Sequence, residues 1–199
     1  MAVGGIVLCG GRSRRMGTPK AWLPCGSEYL LQRMVRIVAG VVQPVVVAAR
    51  RGQALPPLPG DVVLAYDAVE NKGPLAGMAA GFEVLADRCE AAFVTSCDHP
   101  LLKPHFVKRL IELLGEDPGV VPTREEYVYP LTAVYRLDTR AILTELLTQE
   151  DLRVRNFVDR CGAHIIPASE LEDVDPGLDS LRNVNDPDTY DQVVRSLGD

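Results

Sequence analysis

Several features are missing from this 199-residue sequence, and each absence narrows the class of protein. No apolar run approaches the roughly 20 residues that cross a bilayer, and no basic leader with a small-residue cleavage site stands before the first apolar run. The five cysteines are odd in number and widely spaced, and they form neither a disulfide framework nor a Cys-x-x-Cys metal motif. We therefore expect a protein of the reducing cytoplasm that has no membrane partner.

Positive charge is also scarce, because 21 lysines and arginines face 27 acidic residues and leave a net charge of -6. Binding to nucleic acid or to anionic lipid depends on a clustered positive surface that releases counterions. This balance argues against a nucleic-acid partner. Any phosphate that the protein binds must be held by a local site.

No internal repeat and no interdomain linker divides the chain, and the Pro-rich segment Gln53 to Gly60 is typical of a surface loop. Hydrophobic residues make up 47% and charged residues 24%, which is ordinary globular usage. A chain of this length buries most of its apolar surface in one core. We therefore predict a single domain that spans residues 1–199.

Short β-branched or continuous apolar runs alternate with amphipathic helical patterns along the chain. The predicted strands are Val3–Cys9, Val45–Ala49, Asp61–Ala65, Ala91–Ser96, residues 120–121 and Tyr127–Tyr135. The predicted helices are Tyr29–Ala39, Gly73–Leu85, Phe106–Leu114, Ala141–Leu147 and Thr189–Leu197. This alternation predicts an α/β fold in three layers, an α/β/α sandwich with a mostly parallel sheet and right-handed crossovers.

The loop after the first strand carries the strongest functional signal. It combines the glycines Gly10 and Gly11, which expose backbone N–H groups, with basic side chains as far as Lys20. Such a set suits a polyphosphate, which carries several negative charges in a small volume. The loop has neither the dinucleotide pattern Gly-x-Gly-x-x-Gly nor the Gly-Lys-Ser/Thr ending of a Walker loop. Ligands of open α/β sheets bind beyond the carboxyl ends of the strands, so Asp67 and Asp98 should approach this loop.

The basic residues of this loop have two interpretations. A run of charge is usually a solvated surface, and we expect Arg12 and Arg14 to face solvent. Arg15 and Lys20 stand at the mouth of the first parallel strand, where we predict that they contact phosphate and support catalysis.

Asp98 also has two interpretations. An Asp at such a place is often a helix N-cap or a turn residue beside a proline. Its position at the end of a buried strand, opposite the glycine loop, favours a catalytic role and the binding of Mg²⁺. Asp67 follows a strand as well, and there the alternative is a plain loop residue.

Other candidate residues have simpler explanations. His99 and His105 could suggest a zinc pair, but the turn between them has poor ligand geometry, and we expect both at the surface. Cys97 fits a small buried thiol better than a nucleophile. Trp22 fits packing better than stacking on a base.

The string Gly10-Gly11-x-Ser13-x-Arg15-Met16-Gly17-x-x-Lys20 resembles the signature of the molybdenum cofactor guanylyltransferases, which belong to the nucleotidyltransferases with a Rossmann-like fold. Three further segments resemble the family in the same order, so the likeness spans nearly the whole chain. These segments are Gly73-Pro74-Leu75-Ala76-Gly77, Ser96-Cys97-Asp98-His99-Pro100 and Asn183-Val184-Asn185-Asp186-Pro187.

The resemblance implies that GMP is transferred from GTP to the phosphate of molybdopterin, with Mg²⁺ as cofactor and pyrophosphate as the second product. It also implies roles for individual residues. Asp98 matches the residue that binds the metal ion in the family, and Lys20 matches the residue that contacts the phosphates. The residues matching the nucleotide site are Leu8, Cys9, Gly10, Gly11, Lys20, Asp67, Gly77 and Asp98. Asn183 and Asn185 match residues on the side of the acceptor substrate. Arg153 and Arg155 have two interpretations, either contact with the acceptor phosphate or a place on the solvated face of a short helix.

Two positions depart from the family pattern. Cys9 stands where an alanine is usual, and Ala48 stands where an asparagine is common, with Arg50 nearby as a replacement. Two other functions stay open at this point. One is a cytidylyltransferase or sugar-1-phosphate nucleotidyltransferase on the same fold, and the other is a nucleotide-binding regulator without turnover. Enzymes that deliver or receive the cofactor are further expected partners.

Overall fold

The computed structural model describes residues 1–10, 17–66 and 72–198. The strands are β1 Val3–Leu8, β2 Pro24–Cys25, β3 Glu28–Tyr29, β4 Val45–Ala49, β5 Val63–Tyr66, β6 Ala91–Ser96, β7 Gly119–Arg124, β8 Tyr127–Val128, β9 Thr132–Arg136 and β10 His164–Pro167. The helices are α1 Leu30–Ala39, α2 Gly73–Leu85, α3 Pro104–Leu113, α4 Arg140–Thr148, α5 Val154–Cys161 and α6 Pro187–Gly198. Most predicted elements are therefore found with small shifts at their ends, but the predicted strand Tyr127–Tyr135 is divided into β8 and β9. Helix α5, strand β10 and the hairpin of β2 and β3 are not among the predicted elements.

The main sheet has the strand order β10-β7-β9-β6-β1-β4-β5, with β8 paired to β7. The pairs of β1 with β4 and β6, of β4 with β5 and of β10 with β7 are parallel. Strand β9 runs antiparallel to both of its neighbours, β6 and β7. The prediction of a mostly parallel sheet is confirmed, with one reversed strand inside it.

Helices cover both faces of this sheet and form two separate hydrophobic layers. On one face, α1 and α3 bury side chains such as Met34 and Phe106. On the other face, α2, α4 and α5 bury Phe82, Leu143 and Phe157. The protein is thus the predicted three-layer α/β/α sandwich.

Strand β5 differs from the prediction of a buried strand at Asp61–Ala65. It begins at Val63, and Leu64 and Tyr66 are each 41% exposed. The reason is its place at the end of the strand order, where none of the strands that the structure describes pairs with its outer side. Apolar β-branched residues are typical of central strands, so the sequence pattern alone did not reveal the edge.

The order of the strands creates a crevice at one point of the sheet. From β1 the chain moves to β4 and β5 on one side, and it then returns to β6 on the other side of β1. Ligands of such sheets bind where the connections diverge, beyond the carboxyl ends of the two strands. Leu8 and Ser96 are paired at the ends of β1 and β6. The residues that follow them, up to Gly10 and Asp98, therefore lie at this crevice.

Among the helices that the structure describes, none is both long and apolar enough to span a membrane.

Candidate active site

Three of the predicted site residues meet at the carboxyl ends of β1 and β6. The Lys20 ammonium donates a hydrogen bond to Asp98 Oδ2 at 2.7 Å and another to Asn185 Oδ1 at 2.7 Å. Lys20 comes from the segment after the glycine loop, Asp98 from the end of β6, and Asn185 from the segment before α6. The fold thus joins three distant motifs at one point.

The other oxygen of Asp98 is held from inside the protein. Asp98 Oδ1 accepts a hydrogen bond from the Ser96 hydroxyl and lies 3.2 Å from His99 Nδ1. Burial by itself raises the pKa of Asp98, but the hydrogen bonds and charges of His99 and Lys20 outweigh it and hold the pKa well below its usual range. Asp98 is therefore an ionised carboxylate at neutral pH.

His99 is only 5% exposed, so the expectation of a surface position was wrong. Its Nδ1 lies 3.1 Å from Ser96 Oγ, and its Nε2 lies 3.3 Å from Thr132 Oγ1. His105 is exposed, as expected. The two histidines differ because His99 turns inward against Thr132 of β9, and no local sequence pattern indicates this contact.

The turn that carries Asp98 is fixed from two sides. Arg33 of α1 donates from Nε to the carbonyl of Pro100 at 2.6 Å. From the other side, the backbone N–H of Val184 donates to the carbonyl of Asp98 at 2.8 Å. This second contact brings the segment that contains Asn183 and Asn185 against the Asp98 turn. Asn183 is half-buried, and Asn185 is exposed.

An ion pair between the partly exposed Lys103 and the buried Asp175 anchors the segment before Asn185. Lys103 Nζ donates to Asp175 Oδ1 at 2.6 Å and to Asp179 Oδ2 at 3.2 Å. Asp175 has no exposed side-chain surface, and its Oδ2 accepts from the backbone N–H of Ser180 at 2.8 Å. Burial raises the pKa of Asp175, but the hydrogen bonds from Lys103 and Ser180 lower it further than that, so the net shift is downward. Sequence reasoning missed this anchor, because acidic residues in a loop usually indicate a solvated surface.

The ends of β1 and β4 form the neighbouring part of the site. Leu8 and Cys9 are buried, whereas Gly10 is exposed. Gln53 bridges the two strands: its Nε2 donates to the Cys9 carbonyl at 3.0 Å, and its Oε1 accepts from the Arg50 backbone N–H at 3.1 Å. The Nε atom of Arg50 is buried and has no hydrogen-bond partner in the described part of the chain. Gln53 had been assigned only to a surface loop.

Cys97 and Trp22 have the packing roles that the sequence predicted. A hydrogen bond between the Cys97 and Cys9 side chains and the burial of both raise the pKa of Cys97 well above its ordinary value, so Cys97 is no reactive thiolate. Trp22 packs edge-on against Tyr29, with 5.3 Å between ring centroids, and donates from Nε1 to the Ala54 carbonyl at 3.0 Å.

Some predicted site residues fall outside the described residues, namely Gly11, Arg12, Arg14, Arg15 and Asp67. Gly77 is buried in the second turn of α2. Arg153 and Arg155 are exposed at the start of α5, where they form ion pairs with Asp151 at 3.2 Å and Asp159 at 2.9 Å. The structure thus places both arginines on a solvated helix face.

A separate cleft of about 980 Å³ lies between α1 and the segment before β5. Its lining includes Glu28, Arg36, Pro44 and Pro59 and contains no predicted site residue. The site at Asp98 is therefore identified by its polar contacts and its place in the sheet, not by the size of a cavity. Within the described residues, no cluster of three or more His, Cys, Asp or Glu side chains is arranged for a metal ion.

A mostly parallel three-layer fold places a lysine and an ionised aspartate at the crevice where open α/β sheets bind their ligands. Residues 5–165 match the family described as the MobA-like NTP transferase domain, so the chain belongs to this family and is a nucleotidyltransferase of the Rossmann-like fold.

Two relatives and one solved structure agree with this family. The molybdenum cofactor guanylyltransferase of Desulfosudis oleivorans is 31% identical over 198 residues, covering 98% of this chain and 96% of the relative. The protein of the same description from Mesorhizobium japonicum is 32% identical over 202 residues, with the same coverage of 98% and 96%. A crystal structure of molybdopterin-guanine dinucleotide biosynthesis protein A from Archaeoglobus fulgidus superimposes with a TM-score of 0.80 at 22% identity and covers 98% of each chain. The resemblance of the motifs to the molybdenum cofactor guanylyltransferases is confirmed.

Proposed function

We propose that this protein transfers GMP from GTP to the terminal phosphate of molybdopterin, forming the guanine dinucleotide cofactor and pyrophosphate. The observation that carries the proposal is the meeting of Lys20, Asp98 and Asn185 at the crevice of the sheet. Relatives that match over nearly their whole length are named for this reaction, which supports the assignment of both substrates.

In this proposal Lys20 is the main phosphate contact among the described residues. Its side chain is 17% exposed, and its ammonium lies beside the ionised Asp98 at the place where a triphosphate would enter. When GTP binds, Lys20 moves from the aspartate to the phosphate oxygens, which carry more negative charge. Arg15 assists it in stabilising the departing pyrophosphate. Backbone groups of Leu8, Cys9, Gly10 and Gly11 hold the base and phosphates, together with Asp67 and Gly77.

Asp98 is the proposed ligand of Mg²⁺. The residues fit this ion, because Mg²⁺ in nucleotide sites uses one or two carboxylates and takes its other ligands from phosphate oxygens and water. A single ionised carboxylate with a fixed orientation is what the described residues provide. When bound, the ion neutralises charge on the phosphate oxygens.

The reaction requires little covalent chemistry from the protein. A phosphate oxygen of molybdopterin bonds to the α-phosphorus of GTP, and the bond to the β-phosphate oxygen breaks in line, so that pyrophosphate leaves with the electron pair. No general base is needed, because a phosphate monoester is already anionic at neutral pH. Catalysis comes from alignment and charge neutralisation. Asn183 and Asn185, in the segment that contacts the Asp98 turn, orient the acceptor, and Arg153 and Arg155 are weaker candidates for its phosphate.

Pyrophosphate release measured with each nucleoside triphosphate and molybdopterin tests the assignment. We expect turnover with GTP, and turnover with CTP alone would instead support a cytidylyltransferase. Binding of GTP without pyrophosphate release under any condition would support a regulator that has lost catalysis.

Replacement of Asp98 by Asn tests the metal role. We expect Asp98→Asn to reduce kcat by at least about 100-fold, because a neutral amide is a poor ligand for Mg²⁺. Circular dichroism checks that the fold is retained. Wild-type turnover by this variant, at saturating Mg²⁺ and GTP, would remove Asp98 from the metal site.

We further propose that the reaction takes place in the reducing cytoplasm. All five cysteines are free thiols, which supports a reducing compartment. Enzymes that deliver molybdopterin or receive the finished cofactor remain predicted partners.

A further inference from the structure

A line of polar side chains runs from the interior of the sheet to the proposed metal ligand. Thr132 of β9 is 1% exposed and lies 3.3 Å from His99 Nε2, measured from its Oγ1. The other ring nitrogen of His99 lies 3.1 Å from Ser96 Oγ and 3.2 Å from Asp98 Oδ1. Asp98 Oδ2, at the outer end of this line, faces Lys20.

The hydrogen bonds of Thr132 fix the orientation of the His99 ring. The hydroxyl of Thr132 donates its only proton to the Leu131 carbonyl at 2.8 Å. Its oxygen is therefore an acceptor toward His99, and Nε2 is the donor in that contact. The Ser96 hydroxyl donates its only proton to Asp98 Oδ1, so Nδ1 is the donor toward Ser96 Oγ and Asp98 Oδ1, and the ring is held at both edges.

The reversed strand explains why Thr132 can reach this place. Because β9 runs antiparallel to β6, its first residue lies at the edge where β6 ends, and Thr132 pairs with Thr95. A parallel strand at this position would bring its last residue to the site instead. The direction of β9 thus supplies a fixed hydroxyl from inside the sheet.

We propose that His99, supported by Thr132, is a positioning residue for Asp98. It holds Oδ1 against the protein, so that Oδ2 is the oxygen presented to Lys20 and to the metal ion of the bound nucleotide. This inference rests on the proposed function, since it gives Asp98 the metal role. Any buried imidazole needs hydrogen-bond partners. The specific observation here is that Nδ1 faces Asp98 Oδ1, the oxygen that does not contact Lys20, and such contacts orient metal ligands in other proteins.

The test compares the affinity for GTP in the presence of Mg²⁺ with that in EDTA, measured by calorimetry. The ratio of the two dissociation constants reports the contribution of the metal without any turnover. The variants are His99→Ala, His99→Asn and Thr132→Val. His164→Ala is the matched control, because His164 Nδ1 also lies beside a carboxylate, 3.1 Å from Asp117 Oδ2, but on an exposed surface of β10.

We expect His99→Ala to lower this ratio about ten-fold, as is usual when the partner of a metal ligand is removed. An Asn amide nitrogen can take the place of Nδ1, so His99→Asn should recover part of the ratio. Thr132→Val should lower it less than His99→Ala, and His164→Ala should leave it unchanged. Affinity for GTP in EDTA should stay near the wild-type value in all four variants.

A wild-type ratio in both His99→Ala and Thr132→Val, with Asp98→Asn lowering it, would overturn the positioning role and leave the proposed function intact. Failure of the proposed function gives a different result, because wild-type protein would then release no pyrophosphate from GTP and molybdopterin. Thermal unfolding distinguishes a merely structural role of His99. In that case the substitution lowers the melting temperature of the protein but leaves the ratio of the two dissociation constants unchanged. If His99→Ala does not fold, Thr132→Val and His99→Asn decide the question.

Discussion

The partly buried side chain of Arg50 indicates a contact with a bound ligand. Strands β1 and β4 pair Leu8 with Ala48, and Gln53 links the Cys9 carbonyl to the Arg50 backbone N–H, so Arg50 follows β4 close to the end of β1. The buried Nε of Arg50 has no partner among the residues described, and an unsatisfied buried donor carries a free-energy cost. An acceptor atom of the bound nucleotide would remove this cost. Ala48, in β4, cannot supply such a contact because its side chain has no polar atom.

Replacement of Arg50 by Met should therefore weaken GTP binding without harming the fold. We expect GTP affinity to fall about ten-fold, which is the effect of losing one hydrogen bond from a charged group. The free energy of unfolding should stay the same or rise by up to about 1 kcal/mol, because the unsatisfied donor is gone. Calorimetry and urea unfolding measure the two quantities.

The neighbouring exposed arginine gives a matched control for this prediction. Arg51→Met removes the same charge from the same loop and should change neither quantity. Equal GTP affinities for wild type and Arg50→Met would show that Arg50 does not contact the nucleotide.

At the scale of elements, the packing of α2 on β1 depends on a glycine. A Cβ atom on Gly81 would lie 2.7 Å from Ile6 Cδ1 and 2.9 Å from Ile6 Cγ2, closer than real side chains approach. Ile6 is fully buried and has no room to move away. Helix α2 can therefore lie close to the sheet only because residue 81 has no side chain, and this helix also carries Gly77 of the proposed nucleotide site.

We expect Gly81→Ala to destabilise the protein although alanine is the better helix former. The crowding should cost about 1–3 kcal/mol and exceed the helix-propensity gain of about 1 kcal/mol. Urea unfolding measures the change. Glu83→Ala, at an exposed position of the same helix, should change the stability by less than about 0.5 kcal/mol. A Gly81→Ala variant more stable than wild type would contradict the close packing.

The anchor of the segment before Asn185 predicts a pH-dependent stability. The pKa of Asp175 is lowered in the folded protein, so its charge stabilises the fold above the ordinary Asp pKa of about 3.9. That contribution is lost as the pH falls through the lowered pKa. Asp175→Asn should reduce the free energy of unfolding at pH 7 by about 2 kcal/mol, since it removes charge-assisted hydrogen bonds.

Urea unfolding of wild type and Asp175→Asn at several pH values checks this sign. The difference between the two proteins should be largest near neutral pH and shrink below about pH 4. Asp173→Asn is the control, because Asp173 is 59% exposed and its contact with Arg109 is longer, at 3.7 Å. A difference that grows as the pH falls would contradict the assignment.

At the scale of the whole molecule, a single sheet lies between the two hydrophobic layers and contributes side chains to each of them. We propose that the chain is one cooperative unit, and we expect the fluorescence of the single tryptophan, Trp22, and far-ultraviolet circular dichroism to give the same unfolding transition. Magnesium and GTP together should raise the melting temperature, because they bind only the folded protein. Two separate transitions would indicate two units.

Much of the fold was predictable because its signals are local. The helix Gly73–Leu85 and the strand Ala91–Ser96 were predicted with the bounds that the structure shows, since a proline at a helix start and a continuous apolar run act within a few residues. The meeting of Lys20 and Asp98 was also predictable, because parallel strands bring their carboxyl ends to one edge.

The burial of His99 was not predictable, and neither was its contact with Thr132. Both depend on the antiparallel orientation of β9 relative to β6 and β7. The sequence of a strand does not indicate its direction within a sheet. The ion pair of Lys103 with Asp175 joins positions that are 72 residues apart, and nothing near either residue indicates it.

The sequence by itself determined the order of strands and helices, the glycine loop after β1 and the acidic residue at the end of β6, because these follow from local patterns and from the geometry of parallel sheets. Only the tertiary structure decided which oxygen of Asp98 faces Lys20, which side chains contact its other oxygen and which buried arginine nitrogen has no partner among the described residues. The physical reason is that these properties arise from contacts between distant segments, whose geometry is set by the packing of the whole sheet and its helices.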